Sequence, residues 1–150
     1  MASYHTETIV AAPPEDVFDF LIRPENVIRV TAPSSGLKPV KAPEILEQGS
    51  RIELELNGFG PPQRFLYEVT EFDRPRRFTE TLVKGPLSAF RHEHVFEATP
   101  EGTRVLDLVE FKPPGGMLGF LVTEDRIRQG LVSGLRFRYE ELGKIFGTPS

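Results

Sequence analysis

The segment from Thr123 to Phe146 constrains this chain most. Ile127, Leu131, Leu135, Leu142 and Phe146 recur at helical spacing and form one apolar stripe. Thr123 is a good N-cap residue, and Glu124 and Asp125 put negative charge at the positive helix end. Gly147 and Pro149 stop the helix. At ~1.5 Å per residue such a helix is roughly 35 Å long. Its stripe has to be buried. What precedes it reads as strands, and a sheet covers a helix of that length by curving around it.

The strands are read from alternation. A first strand is expected from about Ser3 to Ala11. Pro14 then opens a short helix that carries Val17, Phe18 and Leu21 on one face, and Pro24 opens a second one through about Arg29. Residues 31–49 read as loop, with a weak strand around Leu37 to Val40. Arg51 to Leu56 alternates cleanly, with Ile52, Leu54 and Leu56 on one side. Gly58 to Pro62 reads as a turn. Strands follow at about Gln63 to Phe72, Phe78 to Lys84, Ser88 to Ala98 and Thr103 to Lys112, joined by short turns. Consecutive strands with short turns make an antiparallel meander. The expected fold is α+β: a curved antiparallel sheet of six to seven strands wrapped around a long C-terminal helix, with two short helices after strand 1.

The 150 residues fit one domain, residues 1–150, with one core. The chain has no cysteine, which excludes disulfides and thiolate chemistry and fits a reducing, cytoplasmic setting. Its start carries no signal-peptide pattern, and no apolar run is long enough to span a membrane. A formal net charge of -4 with scattered basic residues argues against a nucleic-acid partner. Twelve Phe residues supply large apolar walls, for a packed core or for a ligand cavity.

Several stretches resemble a known superfamily. Ala12-Pro13-Pro14-Glu15-Asp16-Val17-Phe18 is similar to its approach to the first helix, and Thr70 to Phe78 to its strand–turn–strand signature. Gly85-Pro86 followed by Phe90 to Glu97 is the most specific part. Gly102 to Asp107 and Arg138-Tyr139-Glu140-Glu141-Leu142 complete the match. The chain thus resembles the START-like, or SRPBCC, superfamily, and within it the bacterial ligand-binding or polyketide cyclase/dehydrase-like single-domain group. The resemblance implies the helix-grip fold. It leaves the reaction open, because the superfamily hosts carriers, sensors and enzymes.

Strand parity selects the inward residues. Phe90, His92, His94 and Phe96 share one face of their strand. A four-residue loop, Thr99 to Gly102, pairs Ala98 with Thr103 and so sets Phe96 opposite Val105, His94 opposite Asp107, His92 opposite Val109 and Phe90 opposite Phe111. Phe78 places Glu80 on the same side. The concave face is therefore expected to carry a polar island of Glu80, His92, His94 and Asp107. Its wall is Phe65, Tyr67, Phe78, Phe90, Phe96 and Phe111.

Buried charges need partners, so the island has four readings: a structural network, anchors for a ligand head group, an acid/base pair, or a metal site. The last is weighed on His-x-His with Asp107 or Glu80. A cupin-type motif fails because Glu97 follows His94 too closely and lies on the opposite face. The sequence holds no Gly-x-Gly-x-x-Gly, P-loop or Gly-x-Ser-x-Gly. Gly130 and Gly134 each cost the long helix roughly 1 kcal/mol relative to Ala. Either close packing on the sheet or room for a ligand offsets that. Arg138 is read as covering the stripe with its aliphatic stem.

Three functions follow. The first is binding of a small hydrophobic or aromatic molecule (a lipid, polyketide-like or isoprenoid compound) between sheet and helix, with no cofactor and no metal. The proposed lining is Phe65, Tyr67, Phe78, Glu80, Phe90, His92, His94, Phe96, Asp107, Phe111, Gly130 and Gly134. The second is a cyclase or dehydratase in the same cavity, with His92 or His94 as base and Asp107 orienting it. The third is an accessory protein acting through its surface. Leu106 and Leu108, outward by parity, hint at an apolar patch or a homodimer face.

Overall fold

The computed structural model describes residues 1–57 and 61–150. The turn expected at Gly58 to Pro62 falls largely outside the described residues. Seven strands form one antiparallel sheet: β1 (Ala2–Val10), β2 (Lys38–Lys41), β3 (Arg51–Leu56), β4 (Gln63–Asp73), β5 (Arg77–Lys84), β6 (Ala89–Thr99) and β7 (Gly102–Lys112). Two short helices, α1 (Pro14–Leu21) and α2 (Pro24–Arg29), follow β1, and α3 (Glu124–Phe146) ends the chain. This is the helix-grip α+β fold.

From β2 to β7 each strand pairs with its sequence neighbour, and β7 returns to pair with β1, giving the order β1-β7-β6-β5-β4-β3-β2. The β6–β7 ladder has the register set by its four-residue loop: Phe96 opposite Val105, His94 opposite Asp107, Phe90 opposite Phe111. Gly102 adopts φ +145°, and a β-carbon there would strike the backbone of Val10 and Ala12. The turn that fixes the register therefore requires glycine.

Each helix begins where its chemistry places it. Pro14 and Pro24 occupy first-turn positions, where the missing N–H costs nothing. The backbone N–H of Arg126 donates to the Thr123 hydroxyl at 3.3 Å, capping α3. Single 3-10 turns at Pro33–Ser35 and Gly116–Phe120 are additions that periodicity does not reveal.

The core falls into two bodies. In the first, Phe18 of α1 meets Phe72, Phe78 and Phe96 edge-on at centroid separations of 5.4, 5.5 and 5.4 Å. Leu142 of α3 is fully buried against that body. The second joins Phe65, Tyr67, Val109 and Phe111 to Val122 and Ile127. No helix among the described residues is long and apolar enough to cross a membrane. Leu106 and Leu108 are half-buried. The most exposed large apolar side chains among the described residues are instead Met117, Phe120 and Leu121, around the 3-10 turn before α3, together with Met1 at the chain start.

Candidate functional site

Beside the second core body the described residues leave a hollow. A cavity of about 270 Å³ lies between the sheet and the middle of α3. Leu54 and Leu56 of β3, Tyr67 of β4, Glu80 of β5 and Phe90 and His92 of β6 wall it on one side. Gly130, Leu131, Gly134, Leu135 and Arg138 line it from α3, and Thr31 and Leu37 from the loop after α2.

The two glycines make the space. A β-carbon added at Gly130 or Gly134 would meet no atom within 4 Å. Close packing of the helix on the sheet, one of the two readings of these glycines, is therefore overturned. What replaces the lost helix propensity is open volume.

Six of the twelve residues expected around a ligand line this cavity: Tyr67, Glu80, Phe90, His92, Gly130 and Gly134. The other six do not. Phe78 and Phe96 pack against Phe18 in the first core body, and Phe65 and Phe111 lie in the second. His94 and Asp107 lie behind the wall, 4% and 1% exposed. Parity shows that a side chain points inward. It does not show whether another side chain, here Phe18, already covers it.

The polar island is one hydrogen-bonded network running diagonally across three strands. His92 Nε2 lies 2.6 Å from Asp107 Oδ1, and His94 Nε2 lies 2.7 Å from Glu80 Oε1. His94 Nδ1 is 3.4 Å from Asp107 Oδ1. The two imidazoles stack with centroids 3.9 Å apart. His94 and Asp107 are opposed in the backbone, as the loop length requires, but the shorter bond to Asp107 comes from His92. Side chains meet their diagonal neighbours here because both rings lean along the strand.

The Tyr139 hydroxyl donates to Asp107 Oδ2 at 2.5 Å and lies 3.1 Å from the Thr6 carbonyl. In the sequence Tyr139 stands out only as part of the family-like stretch. Its spacing from Leu135 and Leu142 puts it beside the buried stripe, and that is the available signal. Arg138 also differs from the surface role read for it, since it lines the cavity. No buried side-chain nitrogen or oxygen among the described residues lacks a partner.

Protonation follows from the partners. Burial works against charge on His92, and the neighbouring His94 adds to this, so His92 is pushed below the usual histidine range. The same burial acts on His94, but hydrogen bonds to Asp107 and Glu80 outweigh it and hold His94 above that range. Burial opposes ionisation of Asp107 and Glu80, yet the imidazole bonds prevail. Asp107 is held well below the carboxylate range, and Glu80 below it. The two carboxylates beside His94 thus favour its protonated form. Burial favours the neutral form of His92, whose Nε2 faces Asp107 Oδ1.

The ligand atoms of His92, His94 and Asp107 lie within 4.8 Å of one another, close enough to hold a cation. His92 Nε2 and both nitrogens of His94 already face carboxylates, so a metal would compete with that network. What the arrangement offers a small molecule is an apolar sleeve with a few polar groups at one side: a neutral imidazole oriented by a carboxylate, the Glu80 carboxylate and the Arg138 guanidinium.

Solved structures share the whole fold. A Chromobacterium violaceum protein, CV1439, superposes with a TM-score of 0.75 at 13% identity, over 98% of this chain and 99% of that one. TTHA0849 from Thermus thermophilus gives a TM-score of 0.75 at 21% identity, over 96% and 99%. Major latex-like protein 151 from ginseng, Panax ginseng, gives 0.66 at 14% identity, over 93% and 95%. At these identities the likeness speaks for the fold alone. No curated protein matches the chain. The family model for polyketide cyclase / dehydrase and lipid transport proteins matches residues 1–137. Through that match, and in keeping with its helix-grip fold, the chain belongs to the polyketide cyclase / dehydrase and lipid transport family.

Proposed function

We propose that this protein binds a small, mostly apolar molecule in the hollow beneath the middle of α3. One observation carries the reading. Two glycines in an otherwise regular helix face open space, where any side chain would fill a cavity of about 270 Å³. Binding pockets are commonly built this way, with apolar walls and a few placed polar groups. A volume just under the usual range favours a ligand of one or two rings over a long lipid chain. The family description, which names cyclase, dehydrase and lipid transport roles, supports a hydrophobic ligand. The test is native mass spectrometry of the protein purified from its own host, followed by extraction. A stoichiometric small apolar adduct is expected. A bare protein that also binds no one- or two-ring compound in a screen contradicts the reading.

A second reading is favoured by the His92–Asp107 pair. A neutral imidazole, fixed by a buried carboxylate 2.6 Å away and lining the cavity, is built as a general base. In that case the cavity hosts a cyclisation or dehydration, with His92 accepting the proton and Asp107 holding the ring. His92→Ala separates the two. A carrier keeps most of its affinity, whereas an enzyme keeps affinity and loses turnover.

A further inference from the structure

Arg138 differs from the arginines on the sheet's outer face. Arg51, Arg64, Arg77, Arg91 and Arg104 each meet a carboxylate there. Arg138 is half-buried, lines the cavity, and has no ion pair or hydrogen bond with any described residue. Its charge favours the ionised form of Glu80 without pairing with it. Glu80 is already bonded to His94, and Asp107 to His92 and Tyr139. Five N–H donors therefore stand beside a cavity whose carboxylates are occupied.

The helix explains how such a cation is placed. Gly130, Gly134 and Arg138 follow at intervals of four, so they lie on one ridge of α3. Helical side chains lean toward the N-terminus and over the preceding turn. The residue beneath the Arg138 stem is Gly134, which presents nothing to obstruct it. The glycines thus clear the ridge for the guanidinium as well as for a ligand.

Resting on the binding role proposed above, we infer that the cavity selects an apolar monocarboxylic acid, whose carboxylate is taken by Arg138 while its ring or short chain lies against Tyr67, Phe90, Leu54 and Leu131. Guanidinium and carboxylate pair in a two-pronged geometry that a neutral group does not reproduce. A second anionic group would face Glu80, so the ligand carries one acid and not two. Lysine would not substitute fully, because the planar fork is lost.

The probe pair is 2-naphthoate and its neutral near-isostere 2-naphthamide, titrated calorimetrically into the full chain at neutral pH. The acid is expected to bind about tenfold or more tighter than the amide, as a charge-assisted pair does over a neutral one. In Arg138→Met, which keeps the aliphatic stem, that preference disappears while amide affinity changes by less than about threefold. Thermal melts of both proteins show whether the variant is folded. If it is not, Arg138→Gln carries the same comparison. Equal binding of acid and amide by the wild type overturns the inference and leaves the binding role standing, as does a preference that survives in the variant. Failure of both probes to bind the wild type also overturns the inference, and the native mass spectrum with its screen then decides the binding role separately.

Discussion

The two stretches of α3 that face the sheet have opposite fates. Around Leu142 the hollow is filled: Leu142 and Phe18 are fully buried, and Phe18 meets three phenylalanines edge-on. Two to three turns earlier, at Gly130 and Gly134, the same helix faces a void. The sheet and the helix are common to both stretches. What differs is the third layer. Helix α1 supplies Phe18 as a plug at one end, and among the described residues no such aromatic plug is seen in the middle. One end of the grip thus provides stability and the other provides room.

That contrast is open to attack at the plug first. Phe18→Ala removes a ring from the tightest part of the core and should cost about 4 kcal/mol in urea denaturation. Probe binding in the cavity, measured where the variant is still folded, should change little. A variant that loses binding without losing stability would show that the two ends are not separate.

The network between the two ends comes next. Asp107 is 1% exposed and accepts from His92 and Tyr139. Asp107→Asn should cost about 3 kcal/mol, because it removes a buried charge from partners that remain. It should also flatten the acid limb of the stability curve. The folded pKa of Asp107 is depressed, so its contribution is present above the ordinary carboxylate value of 3.8 and is lost as pH falls below it. His94 runs the other way. Its folded pKa is raised, so its contribution is present below the ordinary histidine value of 6.5 and fades as pH rises through the folded one. Denaturation curves from strongly acidic to mildly alkaline pH check both signs.

The smallest change in stability is expected at the glycines. Gly134→Ala should gain about 1 kcal/mol, since helix propensity rises and the new methyl meets nothing. Gly134→Leu should stay within about 1 kcal/mol of the wild type, yet weaken probe binding about tenfold or more by filling the cavity. A destabilised Gly134→Ala would mean that the helix already touches the sheet there.

Much of this fold is legible in the sequence, because its signals are local. The Thr99–Gly102 loop sets the β6–β7 register, and the cap and stripe set α3. The inward parity of His92 and His94 follows from two flanking phenylalanines. The rest depends on three-dimensional facts that one strand does not carry. Alternation cannot tell that Phe18 comes across to cover Phe78 and Phe96, so inward phenylalanines read as cavity wall when they are core. Backbone register places His94 opposite Asp107, but rotamers decide that His92 makes the shorter bond and His94 turns to Glu80. Arg138 reads as a surface residue because the room beneath it is created by glycines on a neighbouring turn.

Methyl NMR of the folded protein during titration with 2-naphthoate tests the central contrast most directly. Saturable shifts are predicted at the methyls of Leu54, Leu131 and Leu135, with Leu142 left unmoved. Shifts of equal size at Leu142, shifts confined to Met117 and Leu121 on the surface, or no saturable shift at all would contradict a ligand-sized space under the middle of α3.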